Sequence, residues 1–317
     1  MMILSGHRME SRLMDEMDLP FEAHIPTANM LRLWGRFEAQ VAHQNAAFAL
    51  TNRQGGLHKL RTPGLSPTIA LVDVLRAGSY QRKPVFPCYW STHVVDVLPE
   101  DIDVEVFLTS DRRPGIGFFK LPGGLPHSAA SVFAEIACLD RIMSTFQGHT
   151  PTDAELVTLL DARCATLHRL FSLPAWDELT SEGQEKPHRA IYEVCRITAI
   201  IYCNAIILPI PLHNGWNDRC TAMLAELLTT ADVEKRSADV SGLHVWALLI
   251  GGVAAQGTAQ RPLFEVALKQ WYATHPQSWS AIIAGLKEFV WSDHACKVAG
   301  AALLHRALFG ADGKDSV

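Results

Sequence analysis

The chain has 317 residues, with 28 Lys and Arg against 33 Asp and Glu, so its formal net charge is −5. Hydrophobic residues are 48% and charged residues 19%, a balance that excludes intrinsic disorder and allows a large buried core. A chain that grips nucleic acid by itself is disfavoured, because neutralising phosphates needs a basic surface.

Residues 1–19 mix Arg8, Glu10, Arg12, Asp15, Glu16 and Asp18 without the apolar run of a signal peptide. They read as part of an N-terminal arm, 1–26, on a protein that is not secreted. Residues 27–317 read as a single helical domain. Met30, Trp34, Phe37, Val41 and Phe48 then recur at helical spacing after Pro26 and Thr27, and Gly55 with Gly56 stops the run. Ser66 followed by Pro67 predicts an N-cap and first helical residue, opening a helix that runs through Leu75 and ends by Gly78.

Between residues 98 and 120, Ile102, Val104, Val106 and Leu108 alternate with Asp103 and Glu105, which fits one short β-hairpin or an irregular insert. Proline and glycine punctuate 113–126, a candidate junction between sub-lobes 27–112 and 126–310 or an ordered loop within one domain. Thr152 and Asp153 repeat a helix-start signal, with an acid placed to cap in return, and Pro174 closes that helix. Further helices are predicted at 188–208, 216–229, 242–255, 262–272, 279–289 and 292–308. The apolar runs 197–208 and 243–255 fall short of the roughly 20 residues a bilayer requires, so both read as buried helices and no membrane partner is expected. The fold class is all-α, an array of packed antiparallel helices.

Seven cysteines stand at 88, 138, 164, 195, 203, 220 and 296, never closer than eight residues. No C-x-x-C pair exists, so zinc ribbons, zinc fingers and thioredoxin-like motifs are absent, and buried reduced thiols are expected. Nucleophile elbows, phosphate loops and H-E-x-x-H pairs are also absent. Asp293, His294 and Cys296 cluster locally, yet positions i, i+1 and i+3 of a helix do not converge on one ion.

The competing enzyme reading is an all-α synthase of terpene-synthase type, which holds magnesium and diphosphate through oxygen ligands at i, i+4 and i+8 of one helix. Asn217, Asp218 and Thr221 stand in such a run, but position 225 is Ala225 and Glu226 is turned about 100° away. The acidic cluster Asp15, Glu16 and Asp18 lies in the arm rather than in a core helix. Neither catalytic residues nor metal ligands nor cofactors are assigned. Glu193 and Arg196, at i and i+3 of an apolar helix, carry a separate expectation: if buried, Arg196 must be held by a carboxylate.

Five segments in order resemble one family. Glu193, Arg196 and Tyr202 resemble the E-x-x-R-x-x-x-x-x-Y helix of the fungal-specific transcription factor domain. Trp246, Gly251 and Gly252 are similar to its W-x-L-x-x-G-G-x-A-A helix. Arg261 with Phe264 resembles the step that follows, although Leu263 stands where an aromatic is common. Phe289, Trp291 and Asp293 match its F-L-W-x-D segment, and Gly55 with Gly56 its R-G-G-L turn. These twelve positions (Phe289 aside) are taken as structural signatures.

The resemblance implies a nuclear regulator rather than an enzyme, with the cytoplasm as the other compartment. It acts through contacts with other transcriptional regulators or a DNA-binding partner, or as a homodimer, and through sensing of an apolar metabolite. In the family a binuclear zinc cluster normally precedes this domain. The cysteine spacings here cannot make one, so no direct DNA contact is expected of these residues. Ligand-binding residues are not identified by the resemblance.

Overall fold

The computed structural model of the chain describes residues 6–8, 20–25, 37–94, 113–147, 151–179, 188–210, 212, 215–230 and 240–310. Two three-residue strands, β1 (Gly6–Arg8) and β2 (Phe37–Ala39), pair antiparallel ahead of the helices. The remaining regular structure is an all-α array. It comprises α1 (Val41–Arg53), α2 (Leu65–Tyr80), the one-turn α3 (Ile116–Phe119), α4 (His127–Thr145), α5 (Asp153–Ser172) and α6 (Arg189–Tyr202). It continues through α7 (Trp216–Thr230), α8 (Ser241–Ala254), α9 (Arg261–Thr274), α10 (Trp279–Leu286) and α11 (Asp293–Phe309).

Helices from α5 onward begin and end within two or three residues of where their caps and periodicity predict, except that α6 stops six residues short of 208 and a π-helical turn covers most of the difference. Thr152 forms a full capping box with Glu155 at the start of α5, each satisfying a backbone or hydroxyl donor of the other's turn. Ser292 accepts from Ala295 N–H at 3.0 Å and caps α11.

The N-terminal half differs in several places. Phe37 lies in β2, so helical spacing holds only from Val41, and residues 26–36 are outside the described region. Ser66 is not an N-cap: Gly64, at φ +75°, precedes α2, and the Ser66 hydroxyl instead donates to the Leu57 carbonyl at 2.7 Å. Gly78 does not end α2 either. It is an interior contact where a Cβ would meet Ile210, Asn204 and Phe171 within 2.8 Å, and the helix ends at Gln81, which turns left-handed at φ 52°.

Of the segment 98–120, residues 98–112 are outside the described region, and the rest is a turn followed by α3. Helix α4 has no side-chain cap at its start, which is why no local signal announces it.

Packing places α8 at the centre, against α6, α7, α9, α10 and α11, while α6 also touches α4 and α5. Gly251 and Gly252 make that centrality possible. A Cβ on Gly251 would lie 2.6 Å from both Leu224 of α7 and Phe264 of α9, and one on Gly252 would lie 2.6 Å from Leu303 of α11. Two adjacent positions without side chains let three helices close on one turn.

The Gly252 and Ala254 carbonyls at that end of α8 are met by side chains. Arg261 donates to the Gly252 carbonyl at 2.6 Å, and Asn217 to the Ala254 carbonyl at 2.7 Å.

Helix α6 continues as a π-helical turn, Cys203–Ile207. The whole stretch Arg189–Ile207 is long and apolar enough to cross a bilayer, longer than the run of 12 read from sequence, and 94% of its most apolar window is buried inside the fold.

Candidate functional site

A buried carboxylate set among helices is the centre of a polar network. Asp140 on α4 is 4% exposed, and its Oδ1 accepts from the Tyr202 hydroxyl at 2.5 Å and from His24 Nε2 at 2.7 Å. Burial, and then the Asp140 charge, push the Tyr202 hydroxyl well above its ordinary pKa, so it stays protonated and donates. Cys296 of α11 is fully buried beside this pair, and burial followed by the same carboxylate raises its thiol well above the usual value.

Residues 20–25 are strapped onto the helices by this arrangement. Besides His24, Glu22 N–H donates to the Ala295 carbonyl at 3.2 Å, and His294 Nε2 reaches the Ala23 carbonyl at 3.2 Å. Gln147 at the end of α4 stands 3.5 Å from His24 Nδ1.

A partly open cavity of about 770 Å³ adjoins this network. Its walls are Arg113, Pro114 and Ile116 before and within α3; Ala137, Asp140, Arg141, Ser144 and Gln147 along α4; Ala284 and Lys287–Phe289 at the end of α10; and Trp291–His294 at the start of α11. Volume and mixed lining both fall in the range of small-molecule sites.

The α3 wall is positioned by burial. Phe118 is fully buried among Phe133, Trp246 and Phe289, and Gly117 N–H donates to the Glu288 carbonyl at 2.7 Å. Trp246 in turn stacks on Phe289 at 5.8 Å between ring centres and donates its indole N–H to the Val290 carbonyl at 2.7 Å. The aromatic cluster therefore fixes the backbone on which Trp291 and Asp293 stand.

The signature residues separate into four groups. Trp291 and Asp293 line the cavity, and Tyr202 is one hydrogen bond behind it through Asp140. Trp246, Gly251, Gly252, Arg261 and Phe264 build the α8 centre. Gly55 and Gly56, at φ +92° and +96°, form the left-handed turn after α1, away from the cavity lining.

Glu193 and Arg196 sit apart from the cavity and brace a loop. Arg196 donates through Nε and Nη2 to Glu193 Oε2 at 2.9 and 2.7 Å, while Glu193 Oε1 accepts from Trp176 N–H at 2.7 Å. Arg196 is only partly buried, with 15% of its side chain exposed, and it is held by a carboxylate.

The residues weighed for metal chemistry do not converge. Asp293 pairs with Lys287 at 2.5 Å, His294 turns to Ala23, and Cys296 points into the core. Of the synthase-like run, the Asn217 amide donates through Nδ2 to the Ala254 carbonyl at the end of α8, and the Thr221 hydroxyl donates to the Asn217 carbonyl at 2.8 Å. Among the described residues no group of three His, Cys, Asp or Glu is arranged to hold an ion.

Sequence reasoning missed Asp140, His24 and Arg113. Asp140 and His24 are joined only by tertiary contact across 116 residues, and no spacing in the chain could have linked them.

Comparison with known proteins adds one finding. A family model described as the fungal-specific transcription factor domain matches residues 36–291, which takes in every signature position except Asp293. No curated protein and no solved structure gives a match.

Proposed function

The chain belongs to the fungal-specific transcription factor domain family and so has a transcription-regulatory role; from that premise we propose that it acts in the nucleus through protein contacts and small-molecule sensing. The family match carries this reading. These residues make no DNA contact of their own on this account, because their cysteines are dispersed along the chain rather than clustered. Six of the seven are buried, and burial pushes the thiols of Cys138, Cys164 and Cys220 up to about 12, far from the thiolate a zinc cluster uses.

The cavity supports the sensing half of the proposal. It is bordered by two signature residues, and two of its wall elements, α4 and the start of α11, also hold the strap 20–25. A ligand there would act on Asp140, Gln147 and His294, the groups that fasten this strap. Occupancy is thereby linked to the chain leading into the domain.

Affinity capture from fungal nuclear extract tests the proposal. Tagged protein is expected in the nucleus and should recover a DNA-binding transcriptional regulator. Residence confined to the cytosol, with no transcriptional partner recovered, would overturn it.

A further inference from the structure

We infer that the cavity beside Asp140 binds a small organic carboxylate with an apolar body, an assignment that rests on the sensing role proposed above and names its ligand class. Two of its wall residues, Arg113 and Trp291, carry buried N–H donors, Nε and Nε1, that meet no acceptor among the described residues. Trp291 is 6% exposed, so its indole N–H is cut off from bulk water as well. Buried donors without acceptors are uncommon because their desolvation goes uncompensated. Two on one cavity call for a ligand that brings acceptor oxygens.

The charges on the walls select a carboxylate. Every acidic wall residue is engaged: Asp140 by Tyr202 and His24, Asp293 by Lys287, and Glu288 by Lys120 at 3.2 Å. Arg113 makes no ion pair among the described residues, and its guanidinium lies 4.8 Å from the centre of the Phe119 ring. That leaves a cation held by stacking, with Nε and its neighbouring amino group able to meet both oxygens of one carboxylate side-on. An apolar body follows from the rest of the lining, where Ile116, Ala137, Phe289 and the Trp291 ring offer hydrocarbon surface to whatever the carboxylate carries.

Titration of the purified protein with hexanoate, 3-phenylpropionate and indole-3-acetate, each against its matched alcohol and against inorganic phosphate, tests the assignment. Tryptophan fluorescence and calorimetry give the readout. At least one carboxylate should bind about tenfold or more tightly than its alcohol. Arg113→Gln should erase that preference, and Trp291→Phe should weaken the carboxylate severalfold while the alcohol is little changed.

Equal binding of acid and alcohol, phosphate binding as tightly as the carboxylates, or no carboxylate binding at millimolar concentration would each overturn the assignment. Arg113→Gln with the preference intact would overturn it too, and serves if Trp291→Phe fails to fold. Failure of the sensing role is separable. Carboxylate binding that leaves transcription unaltered removes the role and keeps the site, whereas a metabolite response unaffected by Arg113→Gln keeps the role and removes the site.

Discussion

Asp140 ties together parts of the chain that are 62 and 116 residues away, through one oxygen shared by Tyr202 and His24. Asp140→Ala strands two buried donors at once, and should lower unfolding free energy by about 2–5 kcal/mol, read by denaturant melts. Tyr202→Phe removes one donor and leaves the His24 bond in place, so about 1 kcal/mol is expected. Equal losses in the two variants would show that Asp140 is not the hub.

His244 gives a pH signature. Burial, with a smaller contribution from His275, lowers it from the ordinary histidine value of 6.5 to about 4. The unfolded chain therefore takes up a proton below about pH 6.5 that the folded chain refuses until about pH 4. Stability should fall as pH drops through that window, by up to roughly 3 kcal/mol, and His244→Gln should remove this component. Of these residues only Tyr202 was legible in the sequence, through its family motif. A buried carboxylate shared across distant segments leaves no local pattern to read.

Helix starts were legible where a side-chain cap or a strong apolar periodicity marks them, as at α5, α8 and α11, and not at α4, which has no side-chain cap. The Thr152 capping box and the Ser292 cap mark α5 and α11 because a side chain near in sequence does the work. Thr152→Ala should cost about 1 kcal/mol. The start of α2 was misread because the Ser66 hydroxyl is drawn off to Leu57 by the fold, and Gly64 serves in its place. Gly78 was misread for the opposite reason: a glycine that suits a helix stop also suits a close helix crossing, and only the presence of Ile210, Asn204 and Phe171 around it decides which.

The same physics makes Gly251 a sensitive position. Its Cβ would overlap Leu224 and Phe264 at 2.6 Å, so Gly251→Ala should destabilise by about 1–3 kcal/mol through overpacking despite the better helix propensity of alanine. An alanine variant as stable as the native chain would mean that α7 and α9 can move aside.

Taken whole, the chain buries an apolar core that extends from Phe21 to Ala307 and is organised on α8. Its helical class and family were legible because they rest on periodicity and on short ordered motifs. The cavity was not, since its walls come from 113–116, 137–147, 284–289 and 291–294, and only folding brings these together. Within that architecture the α8 centre supplies rigidity, and the strap 20–25 and the cavity share Asp140, Gln147 and His294 as their point of contact.

The regulatory role itself is tested most directly by fusing the chain to a heterologous DNA-binding domain in a fungal host and measuring a reporter under its operator. The account predicts a severalfold change in transcription relative to the DNA-binding domain alone, diminished by Asp140→Ala. A stable, nuclear fusion that leaves the reporter at the level of the DNA-binding domain would contradict it.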